Sequence, residues 1–305
     1  MPTAPSWGYR IKNVLLALVV FCAMIILPAA MSGCVLGVIE SVALHMGGYE
    51  ALAEVYEFLI DNMNLFSALV YALFGLPVFI WVLVMRRRGR LAAQAVQATA
   101  ALPGASAVPQ PEQVSFRVRG VPRSAWVDST FLALGLQFLT TLVMVLILVT
   151  LPGTMEEYES LVEGSGITQY GVMWFVSTVV LPPLVEETGF RGLGLTYLRR
   201  AGIPFAVANV LQAVAFGIFH MNLTQGIYTF VLGLFMGYVA HRTGSVVPAM
   251  LLHAVYNLMG TLGTDLLYTF VPWLPFWFEV AIGLVLTVPT MLSLRDRGGL
   301  SVARG

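Results

Sequence analysis

Carboxylates and imidazoles are costly inside apolar segments, and a chain that keeps them there generally uses them. Here they fall at few places. Pro182-Pro183-Leu184-Val185-Glu186-Glu187-Thr188-Gly189-Phe190-Arg191-Gly192 carries two adjacent carboxylates and an arginine. Phe216-Gly217-Ile218-Phe219-His220 ends on a histidine, and His253-Ala254-Val255-Tyr256-Asn257 sets an imidazole and a carboxamide four residues apart. On a helix, Glu186 and Glu187 point about 100° apart, so they cannot do the same job. Glu187 and Arg191 are four apart in the order that favours an ion pair, which reads as a structural brace. Glu186 has no partner on its own helix. It must find one on another span, carry a proton, or hold water. His253 and Asn257 reach one point from one helix face. Two such donors aimed together suit the oxyanion of a tetrahedral intermediate. A Glu with a His from a different helix can polarise water as a general base. Taken singly, His220 also reads as a donor to a helix carbonyl, and Asn257 as a bond between helices. Together they supply a base, an oxyanion site and an ion pair.

Apolar helices must position these groups. The chain of 305 residues is 58% hydrophobic and 10% charged, with a mean hydropathy of +0.83. A soluble domain carries about a quarter charged residues, so the solvent is lipid. The fold class expected is all-α, a polytopic bundle of about eight membrane helices. The spans fall near Val14–Met31, Asn64–Met85, Ser129–Leu151, Tyr170 to Leu198, Ile203–Met221, Ile227–Ala240, Val246–Leu266 and Phe276–Leu294. The first run reads as an uncleaved span rather than a signal peptide. Cys34–Leu59 is broken by Glu40, Glu50, Glu54 and Glu57, and reads as an extracytoplasmic amphipathic or re-entrant helix.

With both termini cytoplasmic, all 16 Lys and Arg residues fall on the inner side or its membrane edge, as the positive-inside rule requires. Residues 1–128 form an N-terminal two-span region with a cytoplasmic linker at 86–128, Pro-bearing at Pro103, Pro109 and Pro111. Residues 129–305 form the core, with the chemistry at about 170–260. Glycines at 226, 233 and 237 clear one side of the sixth span, and Pro182 and Pro183 kink the fourth. The chain has no long Lys/Arg run and no acidic tail, so nothing electrostatic points to a nucleic-acid partner. No internal repeat supports a transporter. Arg far outnumbers Lys, which points to a GC-rich bacterial genome and hence to the bacterial cytoplasmic (inner) membrane. Helix lengths put the reacting groups nearer mid-membrane than the cytoplasmic edge.

The order Glu-Glu-x-x-x-Arg, Phe-x-x-x-His, His-x-x-x-Asn resembles the CPBP intramembrane protease family. That family includes the CAAX prenyl endopeptidases and bacteriocin-processing or immunity-related proteins. The resemblance covers about residues 170–260. It implies an intramembrane endopeptidase in which Glu186 and His220 activate water, His253 and Asn257 hold the oxyanion, and Glu187 with Arg191 supports the site. The substrate it implies is a membrane-associated polypeptide, lipidated or carrying a C-terminal sorting segment. A metal-free mechanism is favoured, since His-Glu-x-x-His is absent. A zinc alternative would use Glu186, His220 and His253. Two other readings stand beside the peptidase: a non-catalytic scaffold or immunity protein, and a proton- or metal-coupled transporter.

Overall fold

The computed structural model describes residues 6–100 and 116–302, and among them there are helices and no strand. Helix α1 (Trp7–Asp61) starts on Ser6, whose side chain accepts the Tyr9 N–H. It runs on past its apolar stretch to Gly48, where φ is 65°. That left-handed value favours glycine, and the chain turns back there so that the Tyr56 hydroxyl donates to Glu40. Cys34–Leu59 is therefore the extension of α1 and its return arm rather than a separate helix. Helix α2 (Met63–Ala100) continues through the first part of the expected linker. The residues there are rich in Arg, Leu, Ala and Gln, which are strong helix formers. Residues 101–115 of that linker, with Pro103, Pro109 and Pro111, lie outside the described residues, as does Arg304, and its last six residues open α3.

Helix α3 (Arg123–Thr150) is followed by the short polar α4 (Pro152–Gly164). An unbroken helical run from Val172 to Arg200 comes next. It alternates α-turns with wider π-turns: α5 (Val172–Trp174), a π segment Phe175–Val180, α6 (Leu181–Glu187), a second π segment Thr188–Leu195, and α7 (Thr196–Arg200). Then come α8 (Phe205–Phe219), α9 (Leu223–Thr243) and α10 (Val247–Leu258). A third π segment Met259–Gly263 leads into α11 (Thr264–Phe270), and α12 (Phe276–Val302) closes the chain.

Five helices are long and apolar enough to cross a bilayer, within α1, α2, α3, α9 and α12, and α8 is a shorter apolar helix. Large apolar side chains such as Leu15, Leu83, Val149 and Val285 face outward, as lipid-facing residues must. The run Val185–Leu198 is buried on every side, the mark of a central helix. It packs against α1, α2, α8 and α10. Helices α8 and α9 meet at Gly217 and Gly226, where a Cβ on Gly217 would fall 2.7 Å from the Gly226 carbonyl oxygen. Backbone-to-backbone approach of this kind needs small residues. The molecule is an integral membrane helical bundle with the Glu-bearing run at its axis.

Candidate active site

The site is assembled around a proline-made gap. Thr178 offers its carbonyl to the N–H four or five residues on, but those residues are Pro182 and Pro183, which have none. Asn257 fills the gap: its Nδ2 donates to Thr178 O at 2.9 Å. The proline pair thus draws α10 onto the central run, one turn ahead of the two glutamates. Wider π-turns flank them on both sides, an irregularity found often at functional sites.

Glu187 Oε1 accepts from Arg191 Nη1 at 2.8 Å, in the i, i+4 pairing read from the sequence. Arg191 also donates through Nη2 to Gly233 O at 3.2 Å, and its guanidinium lies 4.3 Å from the centre of the Phe216 ring. A Cβ on Gly233 would sit 3.1 Å from that Nη2, so the glycine leaves the carbonyl open to the arginine. Gln212 donates to the same carbonyl at 2.9 Å. The same Glu187 oxygen accepts from His253 Nδ1 at 3.1 Å. His253 turns its Nε2 toward Glu186 Oε2, 3.9 Å away. Tyr71, from α2, donates to Glu186 Oε1 at 2.7 Å. Hydrogen bonds join Arg191, Glu187 and His253 on one side and Glu186 and Tyr71 on the other, with the 3.9 Å step from His253 to Glu186 between them. Arg191 balances the charge of Glu187, as burial of an ionised pair demands.

Glu186 and His253 are 2% and 3% exposed, and Glu186 Oε2 has no hydrogen-bond partner among the described residues. Both line a cavity of about 320 Å³, together with Tyr71, His220, Tyr228 and Asn257. At 3.9 Å, Glu186 Oε2 and His253 Nε2 are too far apart to bond directly, but one water can bond to both at about 2.8 Å. His220 caps the C-terminus of α8. Its Nδ1 bonds to the Phe216 carbonyl at 2.8 Å, so Nδ1 carries the proton and Nε2 keeps its lone pair. Met221, the next residue, has φ 53°, a conformation rare outside glycine. That turn ends α8 at His220 and leads into α9.

All five motif residues, Glu186, Glu187, His220, His253 and Asn257, meet around this cluster. The histidine nearest Glu186 is His253, not His220, with which Glu186 had been paired. The aromatic ring of Phe216 stands beside both imidazoles, 4.9 Å from that of His220 and 6.0 Å from that of His253. Sequence reasoning missed Tyr71, which is neutral and sits in a span without a motif. It also missed the second bond of Glu187. Its only signal was the lack of any other orienting partner for His253.

Among the described residues no three His, Cys, Asp or Glu side chains are grouped to hold a metal. His220 and His253 each engage Nδ1, with a carbonyl and with Glu187, and keep Nε2 free, as metal-ligating histidines also do.

Residues 168–259 match the Rce1-like family of type II CAAX prenyl endopeptidases. The matched segment holds all five motif residues and stops short of Tyr71, α1–α3 and α12. The match is to a protease family, and the CPBP resemblance of the motifs points the same way. Comparison with curated proteins and with solved structures yields no match.

Proposed function

We propose that this protein is an intramembrane endopeptidase of the bacterial cytoplasmic membrane that cleaves a membrane-associated polypeptide. The observation that carries the reading is Glu186. It is a fully buried carboxylate at the floor of a cavity, with one oxygen held by Tyr71 and the other unpartnered beside His253. In this reading, Glu186 Oε2 takes the proton of a water whose oxygen attacks the scissile carbonyl carbon. The lone pair on His220 Nε2 holds the same water from the opposite wall. Charge on the carbonyl oxygen is met by His253 Nε2–H in its protonated form and by the second N–H of Asn257, whose first is spent on Thr178. Glu186 then returns the proton to the leaving nitrogen as the C–N bond breaks. Glu187, fixed by Arg191, orients His253 through Nδ1, as the carboxylate of a catalytic triad orients its histidine.

The proposed topology is eight crossings with both termini inside. The interrupted runs Val172–Arg200 and Val247–Phe270 and the short α8 add three spans to the five long apolar helices. The division into an N-terminal part (1–128) and a reactive core (129–305) goes with it.

The purified protein and its His220→Ala variant, assayed on quenched lipidated and unlipidated peptides with and without a chelator, test the reading. Cleavage by wild type that survives the chelator and is lost in the variant is expected. A folded wild type that cleaves nothing would leave the scaffold and transporter readings in its place.

A further inference from the structure

The cavity has a floor and a mouth, and the two differ in charge. The floor is closed by Glu186 and Phe216, 2% and 0% exposed, backed by the Glu187–Arg191 pair. The lining then climbs toward one end of the bundle. It passes from Tyr71 to Asn64 on α2, from His253 to Thr261 through α10 and its π segment, and ends on Leu161 of α4, which is 44% exposed. The loop after α4 crosses this end. Asn64 fastens it by donating to Gly166 O at 2.8 Å. Helix α4 is tied to α9 by the Thr224 hydroxyl, which donates to Thr154 O at 2.9 Å. None of the lining comes from the helix ends that carry Arg10, Arg86, Arg123, Arg200 or Arg242.

At the same end of the bundle, α4, which lends Leu161 to the lining, carries Glu156, Glu157, Glu159 and Glu163. The return arm of α1, which leads into α2, carries Glu50, Glu54, Glu57 and Asp61. None of these carboxylates lines the cavity itself. Among the described residues no Lys or Arg lies at that end. Carboxylates massed at the entrance of a low-dielectric cleft concentrate cations there by roughly 10- to 1000-fold at low salt.

We propose that the cavity is entered only from this acid-rich end, and that its substrate is a cationic peptide segment presented on that side. Where the arginine-bearing ends are cytoplasmic, the substrate class is a polypeptide already carried across the membrane. Its basic residues would rest among the carboxylates of the mouth while the adjoining apolar residues enter the cavity. This rests on the peptidase reading for what happens at the floor, but the side of entry does not.

Thiol labelling separates the two. Cys22 and Cys34 are free and exposed, so both are first replaced by serine. Ser67→Cys and Leu161→Cys then mark the mouth, and Arg119→Cys marks the opposite end. Each is treated with a membrane-impermeant methanethiosulfonate in right-side-out and in inverted vesicles. The mouth cysteines should react only in right-side-out vesicles and Arg119→Cys only in inverted ones. A trimethylammonium reagent should outpace a sulfonate reagent at the mouth by about tenfold at low salt and lose that lead at high salt. Mouth cysteines that react from the same side as Arg119→Cys, or that react faster with the sulfonate, overturn the proposal. Labelling needs no turnover, so a protein that labels as expected but cleaves nothing refutes the peptidase reading alone.

Discussion

Tyr71 and Arg191 bear on the same carboxylate pair in different ways. Tyr71 only donates to Glu186, so Tyr71→Phe should lower the unfolding midpoint by no more than the loss of that one bond. A hydrogen bond to a charged group is worth about 1.5–3 kcal/mol, which predicts a loss of about 10- to 100-fold in kcat. Arg191 neutralises a fully buried charge. Arg191→Met should cost about 3–5 kcal/mol, because it leaves Glu187 uncompensated. Adding Glu187→Gln should recover most of that stability, as read by thermal unfolding in detergent. The Glu187–Arg191 bond was legible in the sequence because its geometry is local, four residues on one helix. The Tyr71 bond was not, since 115 residues separate its partners and a tyrosine in an apolar span reads as packing. His253 between two carboxylates was illegible for a related reason. Adjacent glutamates diverge on a helix, and only a side chain from another helix can bridge them.

At the level of elements, the proline pair and Asn257 form one device. Asn257→Ala strips the Thr178 carbonyl of its donor and should destabilise the bundle by about 1–3 kcal/mol. Pro182→Ala restores an N–H four residues after Thr178, so the double variant should regain that stability. Peptide cleavage should stay low in both variants, because the amide proposed to face the oxyanion is still missing. Parallel unfolding and cleavage measurements read the two effects apart, and cleavage that returned with stability would make Asn257 a clamp only. Gly233→Ala would press a methyl against Arg191 Nη2 and Ala213, and should cost about 1–3 kcal/mol by overpacking. The sequence marked the prolines as a kink and the glycines as a close helix face. It carried no sign of the π segments, because hydrophobic periodicity does not separate i+4 from i+5 bonding over a single turn.

Across the whole molecule, the apolar helices and the one-sided arginines were legible from hydropathy and charge, since both are set by lipid rather than by packing. The reach of α1 past its apolar stretch was not. Nothing in its polar half breaks the helix before Gly48, and a pattern read for spans stops where apolarity stops. Eight crossings put both termini on the arginine side, so tags at each end should be open to protease in inverted vesicles and protected in right-side-out ones. A tag exposed in each orientation would require an odd number of crossings.

The central claim is that Glu186 deprotonates the attacking water. Single-turnover cleavage of a peptide by Glu186→Gln, against wild type of equal unfolding midpoint, tests it most directly. Glutamine keeps the shape and can still accept from Tyr71 but cannot take a proton, so the rate should fall by about 100- to 10,000-fold, the usual contribution of a general base. A Glu186→Gln protein that cleaves at the wild-type rate would contradict the account.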